Sequence, residues 1–224
     1  MAAVGLKLYS YWRSSACYRV RIALNLKGLA YEQMTVHLVN RGGEQHGAEF
    51  RALNPQQLVP VLIDGERVIR QSQTIIEYLD ESYDGEMKLL PATARARARV
   101  RALAQMVACD IHPLNNLRVM RYLESEFNAP KIERETWTQH WIVEGFTAIE
   151  ALLADNLATG VFCEGDEPSL ADAFLVPQVY NARRAGVDLA PFPIIRRIDE
   201  NCLKLTAFER ARPENQPDAP KSYG

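Results

Sequence analysis

The pattern of apolar and polar positions changes character part-way along the chain. Leu6 to Tyr11 reads as a short strand, and from Ser14 to Lys27 the residues Val20, Ile22, Ala23, Leu24 and Leu26 form an apolar helical face. Gly28 gives the stop signal expected just past a helix C-terminus. Tyr31 to Leu38 reads as a second strand, and 40–53 as a polar loop with a short helix. Val59 to Ile63 is a third strand, Asp64-Gly65 a hairpin signal, and Arg67 to Arg70 the returning fourth. Ser72 then opens a helix through Ile75, Ile76, Tyr78 and Leu79. A β-α-β unit followed by β-β-α predicts an α/β layer around a small mixed sheet.

After Gly85 no further strand pattern occurs. Leu90 to Thr93 reads as a linker ending at a helix cap, and helical patterns follow over about 95–111, 115–127, 133–157, 170–184 and 194–204. The tail from Pro213 is rich in Pro, Asn, Asp and Ser, which predicts an irregular wrap or a disordered end. Two domains, 1–86 and 94–214, suit a chain of 224 residues with 47% hydrophobic and 24% charged composition.

Charge and cysteine usage narrow the function classes. With 26 basic and 28 acidic residues the net charge is −2, so no global field attracts a polyanion, and nucleic-acid binding would need a local basic stripe. Arg95, Arg97, Arg99 and Arg101 spread around one helix as i,i+4 pairs, the pattern of a solvated face or a subunit contact. Cys17, Cys109, Cys163 and Cys202 form no CxxC or metal-ligand pair, which predicts no metal site and a reducing compartment. Met1 to Leu8 lacks the apolar run of a signal peptide, and no segment reaches the roughly 18 apolar residues of a membrane span.

Five places carry candidate chemistry. Ser14-Ser15-Ala16-Cys17 lies between the first strand and the first helix, where a serine either caps the helix or, beside free N–H groups and the positive dipole end, donates to a thiolate. Ser14 and Cys17 have the spacing of a redox CxxC with its attacking cysteine replaced. Val59 precedes a strand proline, and a cis bond there would turn its backbone outward to an extended ligand. Gln71-Ser72 begins the next helix, as a cap or as a cradle for a carboxylate. In Asp110 to Arg118, Pro113 interrupts a helix and His112 and Asn116 are spaced i,i+4 to share a face. Ser169-x-x-Asp172 reads as a structural capping box.

Taken in order, Tyr11-Trp12-Arg13-Ser14-Ser15, Leu58-Val59-Pro60, Gln71-Ser72 ahead of Ile75-Ile76-Glu77-Tyr78-Leu79, and the Ser169 box resemble the cytosolic glutathione transferases. Ser14-Ser15 followed by Tyr18-Arg19-Val20-Arg21-Ile22-Ala23-Leu24 is similar to the zeta class, and within it to the maleylacetoacetate and maleylpyruvate isomerases. The likeness runs nearly the whole chain, through Val176-Pro177-Gln178-Val179 and Val187-Asp188-Leu189. One departure is that Ala16 stands where many zeta-class chains carry a cysteine directly after the serines.

The resemblance implies an enzyme with a thioredoxin-like, glutathione-binding domain at 1–86 and an all-α, substrate-binding domain at 94–214. It implies that Ser14 or Ser15 holds the glutathione thiolate, that Val59 before a cis Pro60 pairs with the cysteinyl backbone, and that Gln71 and Ser72 grip the γ-glutamyl end. Asp110 would assist at that end across a homodimer interface, with His37 and Gln57 at the glycine end and His112 and Asn116 completing the glutathione-binding set. Arg13, Arg118 and Arg184 match the second-substrate site, where arginine forks suit a dicarboxylate. Arg13 and His112 join the serines as catalytic candidates. The implied reaction is cytoplasmic isomerisation of a cis-configured maleyl dicarboxylate to its fumaryl form by reversible thiolate addition. A transferase conjugating apolar electrophiles, a disulfide reductase using Cys17 and a non-enzymatic binding module are the alternatives.

Overall fold

The computed structural model describes residues 5–84 and 87–221, so the predicted boundary at residue 86 lies outside the described residues. The chain divides into two compact units, one running to Leu89 and resuming at Lys204, the other spanning Leu90–Leu203.

In the first unit, β1 (Leu6–Ser10), β2 (Tyr31–Thr35), β3 (Val61–Asp64) and β4 (Arg67–Arg70) form one sheet in the order β2-β1-β3-β4. β1 pairs parallel with β2, Leu6 opposite Tyr31, and antiparallel with β3, Leu8 opposite Leu62. This is the small mixed sheet that the element order predicts and the thioredoxin-like layer that the resemblance implies. Helix α1 (Ser15–Leu26) is buried on nearly every side, and it stops because Gly28 takes the left-handed φ of 63° that a residue with a Cβ rarely adopts. Lys27 is buried against Asp80 at 3.3 Å, and Asp80 also accepts from the Leu89 N–H. The extra bonds matter, since an isolated buried ion pair only just offsets its desolvation. A short α2 (Ala48–Leu53) fills the polar loop, and α3 (Ser72–Ser82) follows the hairpin.

The end of the chain belongs to this unit rather than to the helical one, so the sequence-based end of the second domain at 214 and the structure differ. Helix α9 (Thr206–Ala211), which the periodicity did not predict, packs on α1, with Asn25 donating to the Ala207 carbonyl at 2.9 Å. Gln216 then donates to the carbonyls of Arg210 and Arg212 at 3.0 and 2.7 Å, so the described part of the tail is an ordered wrap. Composition reports a segment's polarity, not the surface it will cover.

The second unit is helical: α4 (Ala94–Gln105), α5 (Leu117–Phe127), α6 (Lys131–Ala154), α7 (Leu170–Arg184) and α8 (Pro193–Leu203). Val100, Phe146, Phe174, Ile195 and Ile198 are among its fully buried core residues. The predicted helix over 95–111 is α4 plus a π-helical turn, Met106–Ile111, and Pro113 converts His112–Asn115 to a 3₁₀ turn. Gly145 of α6 lets Ile111 approach, since a Cβ there would lie 2.2 Å from Ile111 Cδ1. α7 opens with the predicted capping box: Asp172 accepts from the Ser169 amide and hydroxyl and also from the Cys163 amide. The stripe of arginines is not wholly solvated. Arg99 ties the unit internally, donating to the Cys163 carbonyl and Thr159 Oγ1 at 2.6 and 2.7 Å and pairing with Glu164.

Among the described residues no helix is long and apolar enough to cross a membrane, and no cluster of His, Cys, Asp and Glu is built to hold a metal ion.

Candidate functional site

In the first unit the turn after β1 delivers Ser14 and Ser15 to the start of α1. Ser14 has extended backbone (φ −69°, ψ 119°) and its Oγ accepts from the Cys17 N–H at 3.3 Å, so it is the helix cap. That bond uses an oxygen lone pair and leaves the hydroxyl hydrogen to donate. Both serines are partly exposed, and the helix start adds N–H groups and the positive end of the dipole. Arg13, just before them, lies with its guanidinium carbon 5.4 Å from the Trp12 ring centre.

A second group of residues comes from the loops around β3. The Val59–Pro60 peptide is cis, and the ladder begins only at Val61 opposite Arg70, so the Val59 peptide lies outside the sheet pairing. Asn54 fixes the approach to it, donating to the Leu58 carbonyl at 2.7 Å while Arg70 Nε holds the Leu53 carbonyl at 2.8 Å. Gln57 and Gln71 both sit at positive φ, 56° and 70°. For residues with side chains such backbone is strained, and it persists at sites where the surroundings and a function require it. Gln57 Oε1 lies 2.6 Å from His46 Nδ1, and Gln71 donates to Gln56 at 2.9 Å. Ser72 is the first residue of α3 rather than its cap, and its Oγ accepts from buried Arg19 at 3.3 Å. His37 accepts at Nδ1 from the amides of Val39 and Asn40, at 3.2 and 2.9 Å, which leaves Nε2 as its donor.

In the second unit the predicted segment is placed differently from the sequence expectation. Asp110 is exposed on the π-helical turn and His112 is half-buried in the 3₁₀ turn. Asn116 is extended (φ −67°, ψ 148°) and caps α5, its Oδ1 accepting from the Arg118 N–H at 3.1 Å. His112 and Asn116 therefore do not share a helical face as their spacing suggested, because the proline breaks the helix between them. Trp137 pins this turn by donating to the Leu114 carbonyl at 2.7 Å. Arg118 is exposed in the first turn of α5, and Arg184, in the last turn of α7, donates to Asn181 at 3.0 Å. Its neighbour Arg183 pairs with buried Asp199 at 2.6 Å.

Residues 8–87 match the family model described as the glutathione S-transferase N-terminal domain. A maleylpyruvate isomerase of a Ralstonia species is 53% identical over 215 residues, covering 96% of this chain and 100% of its own. A solved maleyl pyruvate isomerase, described as a bacterial zeta-class glutathione S-transferase with its structure in the holo form, is 52% identical with a TM-score of 0.92, covering 96% of this chain and 100% of that one. This chain belongs to the zeta class of the glutathione transferases. A further solved relative, the maleylacetoacetate isomerase of Methylobacterium extorquens AM1 with bound malonate and glutathione, is 43% identical with a TM-score of 0.92, covering 96% of this chain and 99% of that one.

In this zeta-class chain Cys17 is fully buried, and burial pushes its thiol up, against the opposing pull of Arg21 and the Ser14 hydrogen bond. A raised thiol is a poor nucleophile at neutral pH, which removes support from a Cys17-based reductase. The candidate residues are held by neighbours to which the sequence reading gave no role: Arg19 on Ser72, Arg21 on the Trp12 carbonyl, Asn54 on the Leu58 carbonyl, Gln56 on Gln71, His46 beside Gln57 and Arg70 on the Leu53 carbonyl. The signal for the two arginines was present. Arg19 and Arg21 sit inside an apolar helical run, and an arginine in a helix buried all round must have internal partners.

Proposed function

We propose that this chain is a glutathione-dependent cis–trans isomerase that converts a maleyl dicarboxylate, maleylacetoacetate or maleylpyruvate, to its fumaryl isomer. The observation that carries the reading is the near-complete match to chains named as these isomerases, one of them solved with bound malonate and glutathione.

The residues of the first unit fit glutathione. A hydroxyl pair at a helix start suits a thiolate, a peptide outside the ladder at Val59 suits an extended backbone, and Gln71 with Ser72 at a second helix start suits the α-carboxylate of the γ-glutamyl end. His37 Nε2 and Gln57 suit the glycine carboxylate. When bound, glutathione supplies a thiolate that adds reversibly to the conjugated double bond, which frees rotation and returns the cofactor unchanged. Ser14 or Ser15 keeps the thiol deprotonated by donating to sulfur. Arg13, Arg118 and Arg184 pair with the substrate's two carboxylates, so the dianion need not be held by neutral groups. His112, Asn116 and the arginines are the groups available to stabilise charge that develops on the substrate's carbonyl oxygen. Asp110 joins the γ-glutamyl end in a homodimer, and the enzyme works in the cytoplasm. The same reading gives the enzyme a place in aromatic-compound breakdown.

The test is the ultraviolet absorbance of each maleyl substrate incubated with the protein, with and without reduced glutathione. Glutathione-dependent conversion supports the reading, and the faster substrate assigns the pathway. No conversion of either, with glutathione binding shown by calorimetry, would overturn the isomerase and favour a conjugating transferase.

A further inference from the structure

We propose that Asp218, acting with Arg21, is a positioning residue for the thiolate-binding serines, so that the C-terminal segment is a working part of the glutathione site. The proposal rests on the reading that Ser14 and Ser15 hold that thiolate.

The turn from Tyr11 to Arg13 leaves β1 and aims the two serines, and its peptide groups are held by side chains from outside it. Asp218 Oδ2 accepts from the Trp12 N–H at 2.9 Å, across 206 residues of sequence, and its other oxygen accepts from Gln33 of β2 at 3.1 Å. The Trp12 carbonyl accepts from Arg21 Nη2 at 3.0 Å, while Arg21 Nη1 reaches Ser10 Oγ at 3.2 Å and the Tyr11 carbonyl at 3.4 Å. The Tyr11 carbonyl in turn accepts from the Ser14 N–H at 3.1 Å. Arg21 has no exposed surface, its guanidinium lies 5.6 Å from the Tyr18 ring centre, and its Nε donates to the Ala211 carbonyl at 3.1 Å. Ala219 packs against the cluster that includes Tyr11, Trp12 and Cys17.

Both peptide groups that flank the Trp12 Cα are thus fixed from outside the turn, one by a carboxylate and one by a guanidinium. Charge-assisted bonds of this kind are short and directional. A carboxylate offers a separate oxygen to each of the two donors, and its charge favours the Arg21 guanidinium, which burial pushes down. Ser14 follows two residues after Trp12, so slack in the turn moves its hydroxyl. Catalytic groups misplaced by about 1 Å lose on the order of a hundredfold in rate.

The experiment titrates the ultraviolet thiolate band of bound glutathione in the wild type, Asp218→Ala and Asp218→Asn, alongside pH profiles of kcat/KM and thermal melts. In Asp218→Ala the thiol pKa should rise by about one unit, with kcat/KM falling about tenfold at neutral pH and recovering at alkaline pH. Asp218→Asn keeps an acceptor oxygen and should rise by less. Should Asp218→Ala fail to fold, a thiol pKa in Asp218→Asn raised by about half a unit, a threefold fall in acid constant, supports the proposal. Variants that bind glutathione with the wild-type thiol pKa overturn it, whatever their melting temperatures. A wild type whose bound glutathione titrates like the free thiol would instead overturn the functional reading, and the positioning role with it.

Discussion

Ser14 and Ser15 are adjacent but not equivalent. Ser14 Oγ caps α1, whereas Ser15 lies within the first helical turn. Removing a serine cap costs about 1 kcal/mol, so Ser14→Ala should lower stability by that amount while Ser15→Ala changes it little. Losing a hydroxyl that stabilises developing or resident anionic charge costs about 100-fold or more in rate. Chemical denaturation and kcat/KM measured on both variants separate the two roles. If Ser14→Ala costs stability alone and Ser15→Ala costs activity alone, Ser15 holds the thiolate. Cys17, at the resolving position of a CxxC-like spacing, is fully buried, and burial pushes its thiol up.

At the scale of elements, the segment between α4 and α5 decides how Asp110 and His112 are presented. It winds as a π-helical turn and then as a 3₁₀ turn, and π-helical turns are uncommon and frequent at functional sites. Ile111 anchors this segment against Gly145, with no room for another methyl group. Gly145→Ala should therefore destabilise the protein by about 1–3 kcal/mol, the range for overpacking a tight contact. Because a Cβ would meet the Cδ1 and Cγ1 of Ile111, adding Ile111→Ala should recover part of that loss. Failure of the double variant to recover would place the strain elsewhere. The helix boundaries in this region were legible in the residues, since Pro113 announced the break. The winding on either side was not, because periodicity over six residues does not distinguish 3.6 from other repeats.

For the molecule as a whole, glutathione should act as a folding ligand. A ligand at one hundred times its dissociation constant stabilises by about 2.7 kcal/mol, which for a chain of this size raises the melting temperature by roughly 5–10 °C. Thermal melts with and without reduced glutathione measure this. Gln71→Ala combined with Ser72→Ala should abolish the increase, at a cost in stability of about 1–3 kcal/mol because Ser72 is buried and accepts from buried Arg19. An increase that survives this double variant would remove them from the γ-glutamyl site.

Much of this protein is determined locally. The strand and helix periodicities, the Gly28 stop, the Asp64-Gly65 hairpin and the Ser169 capping box each depend on neighbours within a few residues, so each could be read directly from the sequence and is found in the structure. The short-range setting of Ser14, Ser15, Val59 and Gln71 at strand ends and helix starts follows from the same rules. What only the tertiary structure decided is how distant residues hold those places still. Arg19 on Ser72, Arg70 on the Leu53 carbonyl, and Asp218 on the Trp12 amide are contacts between segments tens to hundreds of residues apart. The placement of the chain's end on α1 is of the same kind. No local preference encodes such partners, because a buried arginine or carboxylate fixes only that it must be satisfied, and the fold alone determines by what.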